Sequence, residues 1–182
     1  LIANIGRYHP QKDHLNFLKA LSLIRSKNIN FFCVLVGSNI NKKNISLFSA
    51  IKKLKLSDNI KLLDQNNNIP QIMNGIDIYV QSSSCGEGFP NVVAEAMACG
   101  TPCVVTNVGD ASNIVGSTGW VVPPSNPAKL SKAIEKAICE IKTSKWNKRC
   151  NKARLRIKEN FDITKMIKYY NRLWTNVKNK ID

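Results

Sequence analysis

The sequence predicts an α/β domain in which a doubly wound parallel sheet is covered by helices on both faces. Three observations carry that prediction. Six short runs are apolar almost throughout, as strands buried on both faces must be, rather than alternating as half-exposed strands would. Segments with helical spacing lie between these runs, so strand and helix alternate along the chain. No internal repeat or low-complexity linker breaks the alternation.

The strands are read over Leu1 to Gly6, Phe31 to Gly37, Asn59 to Leu63, Ile76 to Gln81, Pro102 to Thr106 and Gly119 to Val122. Behind the first, Phe17, Leu18, Leu21 and Ile24 fall on one face of a helix. Behind the fourth, a loop carrying Gly86 and Gly88 leads into a helix at Pro90, where a missing N–H is tolerated, and the helix stops at Gly100. Behind the last, Asn126-Pro127 is a helix start, and Leu130, Ala133, Ile134, Ala137, Ile138 and Ile141 form a fuller apolar stripe. From Thr143 the chain becomes rich in Lys and Arg, which divides it into a core of 1–142 and basic C-terminal helices of 143–182. There Ile163, Ile167, Tyr170, Trp174 and Val177 recur at three- and four-residue steps, predicting a last helix with one apolar face. That face suits two settings, packing on this domain or a partner domain, or lying on a membrane surface.

A length of 182 residues with 43% hydrophobic residues fits one globular domain. The apolar runs fall far short of the roughly 18 residues that would cross a bilayer, and no charged-then-apolar leader precedes the first strand. Because the chain opens at Leu1, without Met and already in a strand-like run, it is expected to be a piece of a longer protein. Cys33, Cys85, Cys99, Cys103, Cys139 and Cys150 are scattered, with no Cys-x-x-Cys pair, so reduced thiols in a cytoplasmic protein are expected. His9 and His14 are the only histidines, and no metal centre is expected.

Net charge is +15, a balance that first suggests nucleic acid or an acidic membrane. The charge is unevenly spread. Residues 129–182 carry +11 and residues 1–61 carry +9, whereas residues 62–128 hold no Lys or Arg and five acids. An anion bound by the middle segment must therefore be neutralised by cations from elsewhere or by backbone amides. The run Ser82-Ser83-Ser84-Cys85-Gly86-Glu87-Gly88-Phe89-Pro90-Asn91 through Glu95 to Gly100 offers such amides, since it passes from a strand into a helix N-terminus. In open parallel sheets ligands gather beyond the carboxyl ends of strands, and free N–H groups with the helix dipole suit a phosphate there. Glu87 in the loop and Glu95 about one turn into the helix could accept hydrogen bonds from vicinal hydroxyls. The spacing alone fits equally a loop carboxylate and a solvated helix residue.

Taken together, several runs resemble the carboxy-terminal domain of the family 4 (group 1) retaining glycosyltransferases of the GT-B fold. These are Gly6-Arg7-Tyr8-His9-Pro10-Gln11-Lys12-Asp13, Val34-Leu35-Val36-Gly37, Glu87 to Pro102, Thr106-Asn107-Val108-Gly109-Asp110, and Gly119-Trp120-Val121-Val122-Pro123-Pro124. The resemblance implies a Rossmann-like, doubly wound domain that forms one half of a GT-B fold and binds the donor. The other half, an N-terminal acceptor domain, is expected outside this chain.

The resemblance also implies roles. Arg7 and Lys12, which as isolated residues would read as surface cations, would grip the diphosphate of a UDP- or GDP-linked sugar. Glu95 would hold the ribose hydroxyls and Glu87 would lie by the transferred sugar. Backbone amides around Gly88, Phe89, Pro90 and Asn91 would contact the sugar and phosphate. Asp64, Gln65 and Asn66 would line the base pocket. Transfer of a hexose with retention would need no metal or other cofactor, Glu87 would position and stabilise rather than attack, and the chain alone would be inactive. Two features depart from the pattern, Ser38 where another glycine is common and Asn113 where an acid is common. They leave the specificity for base and sugar open. Alternatives from other classes are a nucleotide-sugar 2-epimerase of the same fold and a nucleic-acid-binding module using the basic tail, for which no helix-turn-helix, zinc-finger or RNA-binding signature exists. Partners beyond the donor are expected to be the N-terminal domain and an anionic membrane surface, with the protein on the inner face of the cell membrane.

Overall fold

A computed structural model describes residues 1–178, with side chains described to residue 175. Each predicted apolar run contains one strand, namely β1 (Ile2–Ile5), β2 (Cys33–Val36), β3 (Ile60–Leu63), β4 (Ile78–Gln81), β5 (Cys103–Thr106) and β6 (Trp120–Val122). They form one sheet in the order β3-β2-β1-β4-β5-β6, with every neighbouring pair parallel. Chain order reverses between β1 and β4, where Ile2 pairs with both Cys33 and Ile78. That reversal is the crevice at which such sheets bind ligands.

Successive strand residues point to opposite faces, and both faces are buried. Ile2, Leu35, Ile78, Val80 and Val104 pack with Phe17, Leu21, Leu47, Leu130 and Ile134. These helix residues come from α1 (His14–Ser26), α2 (Ile45–Lys53) and α6 (Pro127–Ile141). Ala3, Ile5, Val34, Val36, Tyr79 and Val105 pack on the other face with Met73, Val93, Met97 and Ile114. Those belong to α3 (Ile69–Asn74), α4 (Asn91–Ala98) and α5 (Ala111–Val115). The apolar stripes predicted for α1 and α6 therefore lie on one face of the sheet. The helix predicted from Pro90 is α4, with Pro90 as its cap rather than its first residue.

The change of composition at Thr143 is not a break in the fold. In α7 (Lys145–Asn160) Ala153 is fully buried, and the helix packs along α4. Arg149 of α7 also bonds both carboxylate oxygens of Glu140 on α6, at 2.7 and 2.9 Å. The division at residue 142 is thus compositional only, because one turn after it the chain returns to the core. The last helix, α8 (Ile163–Lys178), forms as its spacing predicts. Its apolar face is not covered by this domain: Ile163, Ile167, Tyr170 and Trp174 are all exposed, Trp174 by 66%. The side chain of Val177 lies outside the described residues.

His14 opens α1 with its ring buried and neither nitrogen hydrogen-bonded. Burial, and secondarily the charge of Lys12, lower its pKa from 6.5 to about 4. The unfolded chain therefore binds a proton that the native state refuses over this interval, so stability is full above pH 6.5 and falls as pH drops toward 4. The expected loss from this residue is on the order of 3 kcal/mol. Urea unfolding at stepped pH should show the loss in the parent and a flatter profile in His14→Phe; equal profiles would remove His14 as the source.

Candidate active site

The loops that leave β1 and β4 meet at the crevice between those strands. Behind β1 a 3-10 turn, Pro10–Lys12, is capped by His9, whose Nδ1 accepts from the Gln11 N–H at 3.3 Å. The loop behind β4 is laced to it by hydrogen bonds. The Ser84 N–H donates to the Gln11 carbonyl at 2.8 Å, the Ser82 hydroxyl to the Lys12 carbonyl at 2.8 Å, and the Gln11 side-chain amide to the Gly86 carbonyl at 2.6 Å. This lacing carries Lys12 to Glu87, 75 residues away in sequence, with Nζ 2.5 Å from Oε1. The Ser83 hydroxyl donates to the same oxygen at 2.6 Å.

The Glu87 side chain is only 8% exposed and that of Lys12 26%. Burial alone would raise the Glu87 pKa, but hydrogen bonds from Lys12 and Ser83 and the lysine charge outweigh it and hold the carboxyl below its ordinary range. Glu87 is therefore ionised at neutral pH and is not a proton donor. It can orient a hydroxyl or face developing positive charge. The loop behind β5 is tied to the backbone next to Glu87, where the Asp110 N–H donates to the Gly88 carbonyl at 2.9 Å.

Beside this pair lies a cavity of about 230 Å³, into which Lys12, Glu87, Phe89, Pro90 and Asn91 project together with Asn4, Gln81, Ser82 and Ser83. Asn91 is the first residue of α4, so the opening N–H groups of that helix, which have no partner four residues back, border the cavity. With the dipole of α4 they add partial positive charge without a second cation. Gln81 is 4% exposed, and neither its side-chain oxygen nor its nitrogen has a hydrogen-bond partner. Such a buried amide is costly unless water or a ligand satisfies it.

Not every predicted residue enters the cavity. Arg7 is exposed on the loop behind β1 and makes no hydrogen bond or ion pair among the described residues. Gly88 stands at the rim with its carbonyl engaged by Asp110, and Glu95 is exposed on α4 outside the cavity lining. Gln65 and Asn66 lie on the loop behind β3, where the Gln65 N–H donates to Asp64 at 2.9 Å and Asn66 accepts from the Asn68 N–H at 2.7 Å. Asn4 and Gln81 are not among the residues singled out from the sequence, and Ser82 and Ser83 enter there only as part of a run read for its backbone amides. Their signal was present, because Asn4 and Gln81 are polar residues inside otherwise apolar strands that are buried on both faces. Among the described residues no three His, Cys, Asp or Glu side chains gather as a cluster suited to a metal ion.

Residues 1–160 match the family model described as Glycosyl transferases group 1. Among curated relatives, the chain is similar to UDP-Gal:alpha-D-GlcNAc-diphosphoundecaprenol alpha-1,3-galactosyltransferase of Escherichia coli. It is 30% identical over 113 residues, which are 61% of this chain and 29% of that protein. Among solved structures it resembles a glycosyltransferase from Rickettsia africae, with a TM-score of 0.87 at 24% identity, over 97% of this chain and 47% of that one. It also resembles the Anabaena protein HepE in complex with UDP, with a TM-score of 0.85 at 24% identity, over 96% of this chain and 48% of that one. The chain thus spans about half, or less, of each of these proteins.

Proposed function

The chain belongs to the group 1 glycosyl transferases, and from that premise we propose that it is the donor-binding half of an enzyme that moves a hexose from a nucleoside-diphosphate sugar to a saccharide or lipid-linked acceptor, with retention of configuration. The observation that carries the proposal is the Lys12–Glu87 pair, set at the sheet's reversal point beside the N-terminus of α4. An ammonium has three N–H donors. Lys12 can keep Glu87 and still offer two to a diphosphate.

As the bond to the anomeric carbon breaks, negative charge gathers on the leaving diphosphate. Lys12, Arg7 from the exposed loop, and the amides of α4 then bind the transition state more tightly than the ground state. Glu87, ionised and nearly dry, faces the positive charge that develops on the sugar. It has no proton to give, so the proton of the acceptor passes to another base, for which the leaving phosphate is suited. The chain by itself is expected to bind donor and transfer nothing, the acceptor being held by an N-terminal domain. The lipid-linked acceptor is suggested by the E. coli relative, whose name specifies a diphosphoundecaprenol substrate. On that reading the enzyme works beside a membrane; among the described residues no helix is long and apolar enough to cross one.

Thermal shifts with UDP and GDP test the reading. One of the two should stabilise the chain more than the other, and Glu95→Ala should abolish the response with no change in the unliganded melting temperature, because Glu95 is exposed. An undiminished response in Glu95→Ala would remove Glu95 from the site, and no response of the parent to either nucleotide would sink the donor reading.

A further inference from the structure

A second surface, away from the donor cavity, is built by α6, α7 and the edge strand β6. α6 carries Lys129, Lys132 and Lys136 and α7 carries Lys145, Lys148 and Lys152, so each helix turns one row of lysines outward at three- and four-residue steps. The first row lines a groove of about 520 Å³ against Trp120 to Pro123. The second lines a groove of about 220 Å³ against Ser117 and Thr118. Both grooves border the same stretch of chain, and Arg149 joins them, its guanidinium 4.3 Å from the centroid of the Trp120 ring.

Glu140 is the only carboxylate lining either groove among the described residues, and Arg149 neutralises it through both oxygens. All six lysines are exposed, and none of their ammonium groups has a hydrogen bond or ion pair among the described residues. Like charges at this spacing repel within each helix, a cost that a bound polyanion would relieve. In the first groove Val121 is 39% exposed, next to a half-buried Trp120. An apolar tip thus shares that groove with Lys129, Lys132 and Lys136, whose amphipathic stems can extend their charged ends.

We propose that this face of α6, β6 and α7 docks on an anionic lipid surface. A headgroup layer asks for diffuse positive charge and a small apolar patch to sink into it, which is what the face offers. The rows contain no free arginine for bidentate phosphate contacts and no exposed aromatic row for stacking bases. Only the preference for a membrane over other polyanions rests on the proposed lipid-linked acceptor; the charged face does not. The sheet is parallel, so β6 ends on the same rim as β1 and β4. Docking along β6 brings the donor cavity beside the bilayer.

Co-sedimentation with vesicles of phosphatidylcholine, alone or mixed with phosphatidylglycerol, tests the proposal. The chain should bind only the mixed vesicles, and less as salt rises. Each lysine near an anionic surface is worth about fivefold in partition, so the triple variant Lys145→Gln/Lys148→Gln/Lys152→Gln should lose about 100-fold, as should Lys129→Gln/Lys132→Gln/Lys136→Gln. Equal binding to neutral vesicles would overturn the proposal. So would unchanged binding in both triple variants with loss in Ile167→Ser/Trp174→Ser, which would move the contact to α8, or tighter binding to duplex DNA than to mixed vesicles. The donor reading is judged separately: stabilisation by UDP or GDP without vesicle binding sinks the face alone, and vesicle binding without that stabilisation sinks the donor site alone.

Discussion

Lys12→Met is expected to weaken nucleoside-diphosphate binding by roughly 10–100-fold and to cost the fold about 2 kcal/mol. The binding loss follows from removing the one side-chain cation that, among the described residues, lines the cavity between β1 and β4. The stability loss has a different origin. Glu87 is 8% exposed, and without Lys12 its charge keeps Ser83 as a close donor, helped by the nearby Gln81 amide. The cost is set below the roughly 3–5 kcal/mol of a fully buried pair because Lys12 is 26% exposed and partly screened by water.

Acid separates the two states. In the parent, the Glu87 carboxyl is held below 4.5, so its contribution is present above that pH and is lost as pH falls through the native titration. In the variant burial acts with little opposition, the carboxyl titrates above its ordinary value, and mild acid stabilises. Both should be measured in a His14→Phe background, since Lys12 also lowers the His14 pKa. Adding Glu87→Gln to Lys12→Met should restore most of the stability and none of the binding. Calorimetric titration with UDP or GDP and urea unfolding give the two readouts, and a Lys12→Met chain that binds the nucleotide like the parent would take Lys12 out of the site.

The strands were legible because β1, β2, β4 and β5 are covered on both sides and leave little room for polar residues, while the half-exposed edge strands β3 and β6 still keep short apolar runs, broken in β3 by Lys61. The long helices were legible for the complementary reason: α1 and α6 bury one stripe and solvate the rest. The short helices were not. α2 buries only Leu47 and Ile51, and α3 and α5 complete fewer than two turns, too little for a period to emerge. The site was legible where it depends on loop chemistry, as at Glu87 to Asn91. It was not where it depends on register, as at Asn4 and Gln81, whose polarity matters only because β1 and β4 meet at the reversal of strand order. The lysine face was hidden for the same reason, since net charge along the chain does not reveal that α6 and α7 turn their lysines to either side of one edge strand.

Gly109→Ala is expected to disable the site from outside it. Gly109 has a φ of 55°, where a side chain is strained, and a Cβ built there would lie 2.2 Å from the Glu87 carbonyl oxygen and 2.5 Å from that of Gly88. Neither oxygen is the loose end of a side chain. The Gly88 carbonyl also accepts from the Asp110 N–H, so relieving the clash means pushing the Glu87 loop outward by about an ångström and breaking that bond. Left-handed strain costs about 1 kcal/mol and the lost bond about another, giving a total of about 2 kcal/mol. A displacement of this size at a reacting centre lowers turnover on the order of 100-fold. Gly116→Ala is the control. Its φ of 53° is equally adverse, but the Cβ would meet the guanidinium of Arg156, the far end of a side chain that bonds the Asn113 and Ile114 carbonyls and does not line the cavity. Both variants should therefore melt earlier than the parent, while only Gly109→Ala should lose donor binding in this chain and sugar transfer in the complete enzyme. Equal losses of binding in the two would mean that Gly109 acts through general stability, and that the loop behind β5 does not hold Glu87 in place.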